Sequence, residues 1–547
     1  MTKGTDMLYI IIFTLFLLAM TAYDNRRDKG YGSRICLNFL LTMFLVFALP
    51  VQAQNREIDK IRYELATDIV VSDGKNAPFW LISNRHGLSS IKNNNVNLSA
   101  AVFRDFDKKK GFAWAYGAEI ATAWNYPSTF FIQQLYADIR YNYWELSIGS
   151  KERLSEGKHH TLSGGGLTFS SNSRPIPQIR FGINDYVAVP WLFNGWLQVK
   201  GHISYGRQTD DKFQQTHIND APYGSRYAEN ILFHEKTAFI KIGKPTASPF
   251  SVEMGLEMYT QFGGRIWEKG SNGDFIRYDL PHTYKEYIKA FIPMAAGSDS
   301  PEMEQENVNG NVLGSWHLAL GYEVEEWKIK AYYEHFYEDH SGLLGFDYHS
   351  DRNGKKRFVT YLPWRDGLYG LQLTVPKNSF INTIVYEYLT SMDQGGPILQ
   401  NPAGDMTGQA GGKDWYYNHT YYQSWQHWGM AICNPHTLSP LYNKVPNLTM
   451  PYQRIRSHHI GIDGMPSGQF HYRIMLSHTK HWGSYEDPLS TPLTQLSTMG
   501  EICFIPRRPS GLDFTLSIAY DHSKLIGNNF GGMLTIRKSG WLSNKNK

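Results

Sequence analysis

The densest group of side chains suited to ligand binding lies between Asp414 and Trp428. Aromatic rings are interleaved there with amide and imidazole groups, and the candidate contact residues are Trp415, Tyr417, Tyr421, Gln423, Trp425 and Trp428. Sugars present apolar ring faces that stack on aromatic side chains, and hydroxyl groups that hydrogen-bond to amides. The stretch therefore indicates a glycan platform. With equal weight, the same rings pack a long loop against itself or against the neighbouring fold.

Arg174 is a further candidate for contact with a glycan that carries acid groups. A guanidinium close to two prolines more often clamps a turn by donating to backbone carbonyls, and we favour that interpretation. Two adjacent histidine pairs, His159-His160 and His458-His459, also attract attention as possible metal ligands. Neighbouring residues on a strand point to opposite faces, so we interpret both pairs as solvated rather than as a metal site.

No motif of an enzyme or of a cofactor site is convincing. A glycosidase needs two carboxylates about 5–10 Å apart across a sugar, and no spacing indicates such a pair among the scattered Asp366, Glu387, Asp393 and Asp414. The run Gly164–Gly166 has no following lysine and opens no predicted helix, so it predicts a turn or a tight strand rather than a phosphate loop. The sequence therefore predicts a protein that is not an enzyme and has no cofactor or metal.

Composition and cysteine content restrict the class further. Aromatic residues make up 14% of the 547 residues, which excludes a disordered chain, and a net charge of +4 without a basic run points to no nucleic-acid partner. Cys433 and Cys503 lie 70 residues apart in the body of the chain. We interpret them as unpaired thiols, with a disulfide between them as the alternative.

The first 53 residues are predicted to be a targeting segment for export. A short apolar run, Ile35–Leu49, follows four basic residues and precedes Val51-Gln52-Ala53, a pattern that predicts a signal peptide cleaved after Ala53. The run is shorter than the ~20 residues of a spanning helix, although a helical hairpin anchor formed with the earlier run Met7–Met20 stays open. Residues 54–547 then form the mature protein as a single domain.

The mature chain alternates apolar and polar residues with the period of two that is typical of strands. From Trp114 to Trp124, one face begins and ends in tryptophan and resembles a membrane strand with an aromatic residue at each interface. The opposite faces of such segments carry charge, and the candidate lumen-facing residues are Glu119, Arg140, Lys200 and Glu257. Segments of about ten residues match a tilted transmembrane strand. We predict an all-β, antiparallel transmembrane β-barrel of roughly 16 to 18 strands; a soluble all-β secreted protein is the alternative.

The connections are of two kinds. Tyr143-Trp144-Glu145 marks a change of phase that predicts a tight hairpin, whereas Gly206–Asn230 and Gln394–Pro451 are long, polar stretches. Outer-membrane barrels combine brief periplasmic turns with long extracellular loops. The contrast therefore favours that architecture.

Three ordered blocks resemble the outer-membrane capsule assembly protein family Wzi. They are Leu162–Thr168 with Asn172–Gln178 and Gly182–Tyr186, then Ile384–Tyr388 with Asp393–Pro397, then Tyr416–Trp425 with Gly429-Met430 and Asn434-Pro435. The resemblance implies a barrel of about 18 strands with long extracellular loops and a few small periplasmic helices. It also implies lectin-like, non-catalytic binding of capsular or other surface polysaccharide. The chain departs from this pattern after Phe530–Arg537, where a polar tail follows instead of a terminal aromatic residue.

These observations lead to one expectation and two alternatives. We expect an outer-membrane barrel, inserted by the barrel insertion machinery and surrounded by outer-membrane lipid, that anchors or organises polysaccharide at the cell surface as a monomer. The alternatives are an outer-membrane pore for solutes or polysaccharide export, and an outer-membrane enzyme acting on glycans or lipids. Charged residues that face the lumen fit a binding barrel and a pore equally well.

Overall fold

The computed structural model describes most of the mature chain. The described residues are 61–107, 111–210, 212–292, 310–338, 346–350, 356–360, 365–376, 380–399, 410–508 and 511–542. The predicted signal segment, residues 1–53, lies outside these ranges, so its cleavage stays a prediction. Within them, no helix has the length and apolar character needed to span a bilayer.

The described strands form a closed antiparallel barrel of 18 strands, in which each strand pairs with the next and the last pairs with the first. The barrel strands are β1 (Ile61–Asp73), β2 (Asn95–Arg104), β3 (Phe112–Trp124), β4 (Phe130–Tyr141), β5 (Trp144–Ser150), β6 (Gln178–Ala188), β7 (Leu197–Arg207), β8 (Leu232–Ile242), β9 (Phe250–Phe262), β10 (Asn311–Val324), β11 (Trp327–Glu338), β12 (Gly367–Thr374), β13 (Thr383–Thr390), β14 (Ile455–Ser467), β15 (Phe470–Gly483), β16 (Pro488–Phe504), β17 (Leu512–Ser523) and β18 (Asn529–Leu542). The predicted all-β barrel of about 18 strands is confirmed.

The two faces of the wall have opposite chemistry. On β3, Trp114, Ile120 and Trp124 are exposed on the outside, while Ala115 and Ala121 are buried on the inside. Exposed apolar rows continue around the barrel, and the inward rows hold buried serine, asparagine, glutamine, histidine and glutamate side chains. A soluble sandwich buries its apolar face, whereas this barrel exposes it, as a wall surrounded by lipid does.

The connections divide by length between the two ends of the barrel. At one end, which we call the inner end, β4 and β5 are joined by the two-residue turn Asn142-Tyr143, with a positive φ of 53° at Asn142. This confirms the predicted tight hairpin. The opposite end, here the outer end, carries the long connections 74–94, 151–177, 208–231, 263–310 and 391–454. In outer-membrane barrels the short turns face the periplasm and the long loops face the outside.

Smaller elements lie within these connections. The described α-helices are α1 (Phe79–Ile82), α2 (Phe213–His217) and α3 (Tyr284–Phe291), and the described 3-10 turns are Phe193–Gly195, Pro435–Thr437 and Pro440–Tyr442. A three-stranded sheet comprises Arg226–Glu229, Arg265–Lys269 and Phe275–Asp279. Two-stranded ladders pair Phe346–Ser350 with Lys356–Thr360, Gly395–Leu399 with Ala410–Lys413, Asn418–His419 with Gln423–Ser424, and Gln426–His427 with Met430–Ala431. All three α-helices belong to outer-end connections, whereas the resemblance implied small helices at the periplasmic end.

The last strand is longer than the sequence indicated. The sequence predicts a polar tail from Lys538, but β18 continues to Leu542. The reason is barrel closure, because Lys538 pairs with Leu65 and Leu542 pairs with Ile61. Backbone hydrogen bonds to a neighbouring strand do not depend on the polarity of the side chains.

Candidate functional site

Three outer-end connections fold back into the lumen and pack against its wall. We call the described residues of 74–94, 151–177 and 414–454 the plug. Phe79, Leu167 and Trp425, one from each connection, are buried almost completely. Leu167 and Trp425 belong to an apolar core that also contains Tyr259 and Leu313 of the barrel wall. The plug is therefore packed against the wall rather than laid over the opening.

A glutamate of the wall holds the glycine-rich turn of the plug. Glu387 of β13 accepts hydrogen bonds from the backbone N–H of Gly164 (2.7 Å) and from the hydroxyls of Ser163 (2.6 Å) and Tyr332 (2.6 Å). The next residue, Gly165, has a φ of +102°, which only glycine adopts without strain. The sequence predicts a turn or a tight strand for Gly164–Gly166; the run belongs to no strand, and the conformation of Gly165 requires glycine.

A second wall glutamate binds the other side of the same turn. Glu334 of β11 accepts the N–H of Leu167 (2.7 Å) and forms a buried ion pair with Lys158 (2.5 Å). Successive backbone N–H groups in a glycine-rich turn form a concave anion site, and here the anions are carboxylates of the protein itself. Sequence reasoning missed Glu334, although its inward position on an alternating strand was a usable signal.

Two plug segments are joined directly to each other. The indole N–H of Trp425 donates to the carbonyl of Thr168 (2.8 Å), and the Asn434 side-chain N–H donates to the carbonyl of Gly165 (2.7 Å). These residues belong to two of the blocks on which the resemblance was recognised. The blocks meet inside the barrel, although more than 250 residues separate them along the chain.

The aromatic stretch Asp414–Trp428 is divided between the plug core and the outer rim. Tyr417 and Trp425 are 1% and 0% exposed, and Trp428 is also buried. Trp415, Tyr421 and Gln423 are half-buried. Burial of the first group supports the packing interpretation for those rings. Contact of any of these residues with a glycan stays a prediction, and the half-buried group is the part that a ligand can reach.

Arg174 lies within the plug, stacked between two aromatic rings. Its guanidinium carbon is 3.8 Å from the ring centre of Phe131 and 4.2 Å from that of Trp428. Burial lowers the pKa of Arg174 to about 10. The guanidinium of Arg174 therefore forms cation–π contacts, rather than the predicted hydrogen bonds to the carbonyls of a turn. The backbone carbonyl of Arg174 accepts a hydrogen bond from His427 (2.9 Å).

The interpretation of His458-His459 as a solvated pair is wrong for one member. His459 is buried, with Nε2 2.7 Å from the carbonyl of Leu162 and Nδ1 2.8 Å from the Ser477 hydroxyl. Successive side chains of a strand point to opposite faces. His458 points outward, so His459 points inward, towards the plug. His459 therefore joins the wall to the plug.

The four candidate lumen-facing residues all lie on the inward face of their strands, and each contacts a polar or aromatic partner. The contacts are Glu119 with Gln134 (2.8 Å), Arg140 with the ring of Phe106 (4.3 Å), Lys200 with Glu156, and Glu257 with His317 (3.5 Å). Glu253 lies nearby, between Lys241 (3.1 Å) and Lys330 (3.4 Å). Lys200 and Glu253 thus have partners of opposite charge, whereas these partners of Glu119 and Arg140 are uncharged.

A polar cleft opens at the outer end beside the aromatic stretch. It has a volume of about 260 Å³, and its charged and amide lining includes Arg207, Gln208, Asp210, Lys212, Glu229 and Asn230. Gln208 also donates to the carbonyl of Gln426 (3.4 Å), and its own buried side-chain oxygen has no hydrogen-bond partner among the described residues. The cleft lies in the connection Gly206–Asn230, which the sequence identifies as long and polar. None of its residues is among the site residues predicted from the sequence.

The two thiols in the described part of the chain are unpaired, and no metal-binding cluster is found there. Cys433 and Cys503 are both free, as interpreted, and burial raises the pKa of Cys433 to about 12. Among the described residues, no group of three or more His, Cys, Asp or Glu side chains is arranged to hold a metal ion.

The closed sheet with its apolar outer face defines the class of the protein, an 18-stranded β-barrel of the outer-membrane type. No protein-family model matches this chain, and no curated protein matches it either. Among solved structures it is similar to Wzi of Escherichia coli, described as an outer membrane protein involved in group 1 capsule assembly and as a carbohydrate-binding β-barrel. The identity is 11% over 94% of this chain and 90% of that chain, with a TM-score of 0.51.

Two Pseudomonas aeruginosa proteins are similar at a lower level. OccK5 (OpdH) is 8% identical over 90% of this chain and 100% of that chain, with a TM-score of 0.43. The outer membrane protein OpdK is 8% identical over 88% of this chain and 99% of that chain, with a TM-score of 0.41. The likeness to Wzi shows a shared barrel fold, and the two lower scores carry no argument about function.

Proposed function

We propose that this protein is a Wzi-like barrel of the outer membrane that binds surface or capsular polysaccharide at the cell surface and anchors or organises it there without catalysis. The observation that carries the proposal is the plug inside the lumen. A diffusion pore needs a continuous wet path, whereas the plug places a fully buried Trp425 and the carboxylate-bound turn at Gly164 across the interior.

The outer rim offers the chemistry that a glycan needs. The half-buried Trp415 and Tyr421 present ring surface, and the neighbouring cleft presents charged and amide groups. Its volume of about 260 Å³ is just below the ~300–1,000 Å³ of sites for drug-sized ligands. It therefore suits a short part of a polymer.

The proposal is tested by the partition of polysaccharide between cells and medium. In a strain that lacks this protein, we expect unchanged total polymer with a shift from cell-bound to released material. Restoring the wild-type chain restores the cell-bound fraction, whereas Trp415→Ala and Tyr421→Ala restore it poorly. As a control, Trp191→Ala removes an exposed tryptophan from the inner-end turn and should restore the fraction fully.

Conductance distinguishes this function from the pore alternative. Charged residues that face the lumen are compatible with both. In a planar bilayer, the purified protein should show no large steady current, because the plug blocks the lumen. An unchanged polymer partition together with a large steady current would reject the polysaccharide function in favour of a pore.

A further inference from the structure

Helix α3 lies outside the barrel, against the outer wall near the outer end. The hydroxyl of Tyr205 on β7 donates to the carbonyl of Tyr287 (2.8 Å), and the rings of Phe262 and Tyr287 meet edge to face at 5.1 Å. The Lys236 ammonium of β8 donates to the carbonyl of Phe291 in the last turn. The helix therefore covers three neighbouring strands, β7, β8 and β9.

The wall beneath the helix is unusual for an outward face. Tyr205, His234 and Thr260 are consecutive partners across β7, β8 and β9, so they form one row. His234 is 0% exposed because α3 covers it. Closer to the inner end, the exposed residues on the outward faces of these strands are apolar, for example Ile240 and Met254. The helix thus separates a polar row from whatever surrounds the barrel.

Helix α3 carries apolar side chains on its exposed side as well as on its wall side. Tyr287 and Phe291 contact the wall through their rings. Tyr284, Ile288 and Ile292, which point away from it, are 72%, 53% and 52% exposed. A surface helix in water turns its apolar stripe towards the protein. An additional apolar face turned away from the protein is typical of a helix in the membrane interface.

The position of α3 along the barrel axis matches the outer edge of the apolar band that a membrane would cover. Phe250, paired with the ring of Tyr322 at 4.9 Å, marks the inner aromatic level of β9. From Phe250 to Thr260 the strand rises about 33 Å, which is about 25 Å along the axis at a tilt of about 40°. The apolar band of outer-membrane barrels is about 25 Å tall. The row under α3 is therefore at the outer margin of that band.

We propose that α3 is an interfacial helix in the outer leaflet of the membrane, and that Tyr284, Ile288 and Ile292 contact the acyl chains of its lipids. Continuity with the exposed apolar rows of the wall identifies the occupant as lipid. Lys285 is exposed beside this face, and its ammonium can extend to an anionic headgroup. The proposal concerns the outer wall and is independent of any polysaccharide site.

Site-directed spin labels test the proposal in the full-length barrel. The three cysteines are replaced by alanine, and one label is placed by Ile288→Cys. Reference labels are placed by Met254→Cys in the apolar band and by Tyr223→Cys in an exposed outer-end connection. The proteins are reconstituted in vesicles of phosphatidylcholine and lipopolysaccharide, and collision with oxygen is compared with collision with a water-soluble nickel chelate.

The expected result is that the label at position 288 collides more with oxygen than with nickel, as the label at 254 does, while the label at 223 shows the opposite preference. A nickel preference at 288 would overturn the proposal. Protection from both reagents, with spin–spin broadening, would also overturn it, because a second copy of the chain would then cover the helix. If Ile288→Cys does not fold, Ile292→Cys makes the same comparison.

Discussion

The aromatic stretch divides by exposure into a buried half, Tyr417, Trp425 and Trp428, and a half-buried half, Trp415, Tyr421 and Gln423. In the buried half, Trp425 and Trp428 form hydrogen bonds or cation–π contacts with other plug residues. In the half-buried half, Trp415 and Tyr421 are only partly covered. The same residue types thus pack the plug in the buried half and are partly exposed in the other. Substitutions can separate these two roles.

The largest effect is expected where the wall holds the plug. Glu387→Leu leaves three donors without their acceptor, the N–H of Gly164 and the hydroxyls of Ser163 and Tyr332. Each buried donor that loses its partner costs about 1–3 kcal/mol. We expect the plug to loosen while the barrel stays closed, with a measurable ion current in a planar bilayer and protease cleavage between residues 151 and 177.

The control for that experiment is Glu323→Leu, which removes an exposed glutamate paired with Lys328. It should leave both the current and the cleavage pattern unchanged, since exposed ion pairs contribute little. If Glu387→Leu behaves like this control, the wall glutamate does not retain the plug.

Trp425→Ala should destabilise the plug by about 3–5 kcal/mol, the range for removal of a large buried aromatic side chain. Trp415→Ala, at the half-buried rim, should cost far less. Thermal unfolding in detergent, followed by tryptophan fluorescence, measures the difference between the two midpoints. Equal midpoints would mean that the two halves of the stretch are not energetically distinct.

A pH titration examines the buried half through His427. Burial lowers the pKa of His427 to about 4, from 6.5 in an unfolded chain. A lowered pKa means that the unfolded state takes up the proton first, so this stabilisation is complete above pH ~6.5 and is lost as the pH falls towards ~4. The free energy of unfolding then falls by about 3 kcal/mol. His427→Gln should make the fall of plug stability between pH 7 and pH 4 shallower, and an unchanged slope would contradict this.

The smallest effect on stability is expected at the rim. Tyr421→Ala should change the unfolding midpoint little, yet weaken retention of purified polysaccharide several-fold in a pull-down with the intact barrel. Trp191→Ala, far from the outer end, is the matched control. Loss of stability without loss of polysaccharide would indicate that the rim, like the buried half, serves packing alone.

The wall could be predicted from sequence, whereas the plug could not. Alternation along Trp114–Trp124 and the change of phase at Tyr143-Trp144-Glu145 are local signals, and they led to the correct fold class, although the turn itself lies at Asn142-Tyr143. The contact of Gly164 with Glu387 joins residues 223 positions apart, and no periodicity reports where a long irregular connection goes. The same limit explains the misread His459, whose environment depends on which connection enters the lumen.

Pairing of β1 with β18 has a consequence for biogenesis. The ring cannot close until the chain from Ile61 to Leu542 is available, because these two residues are partners. The plug is tied to the same seam, since the side-chain oxygen of Asn529 accepts from the N–H of Asn76 (3.0 Å) and Asp521 accepts from the N–H of Phe79 (2.8 Å). We therefore expect seating of the first connection to be coupled to closure of the seam. A chain that stops short of β18 presents two unpaired strand edges, which invite aggregation.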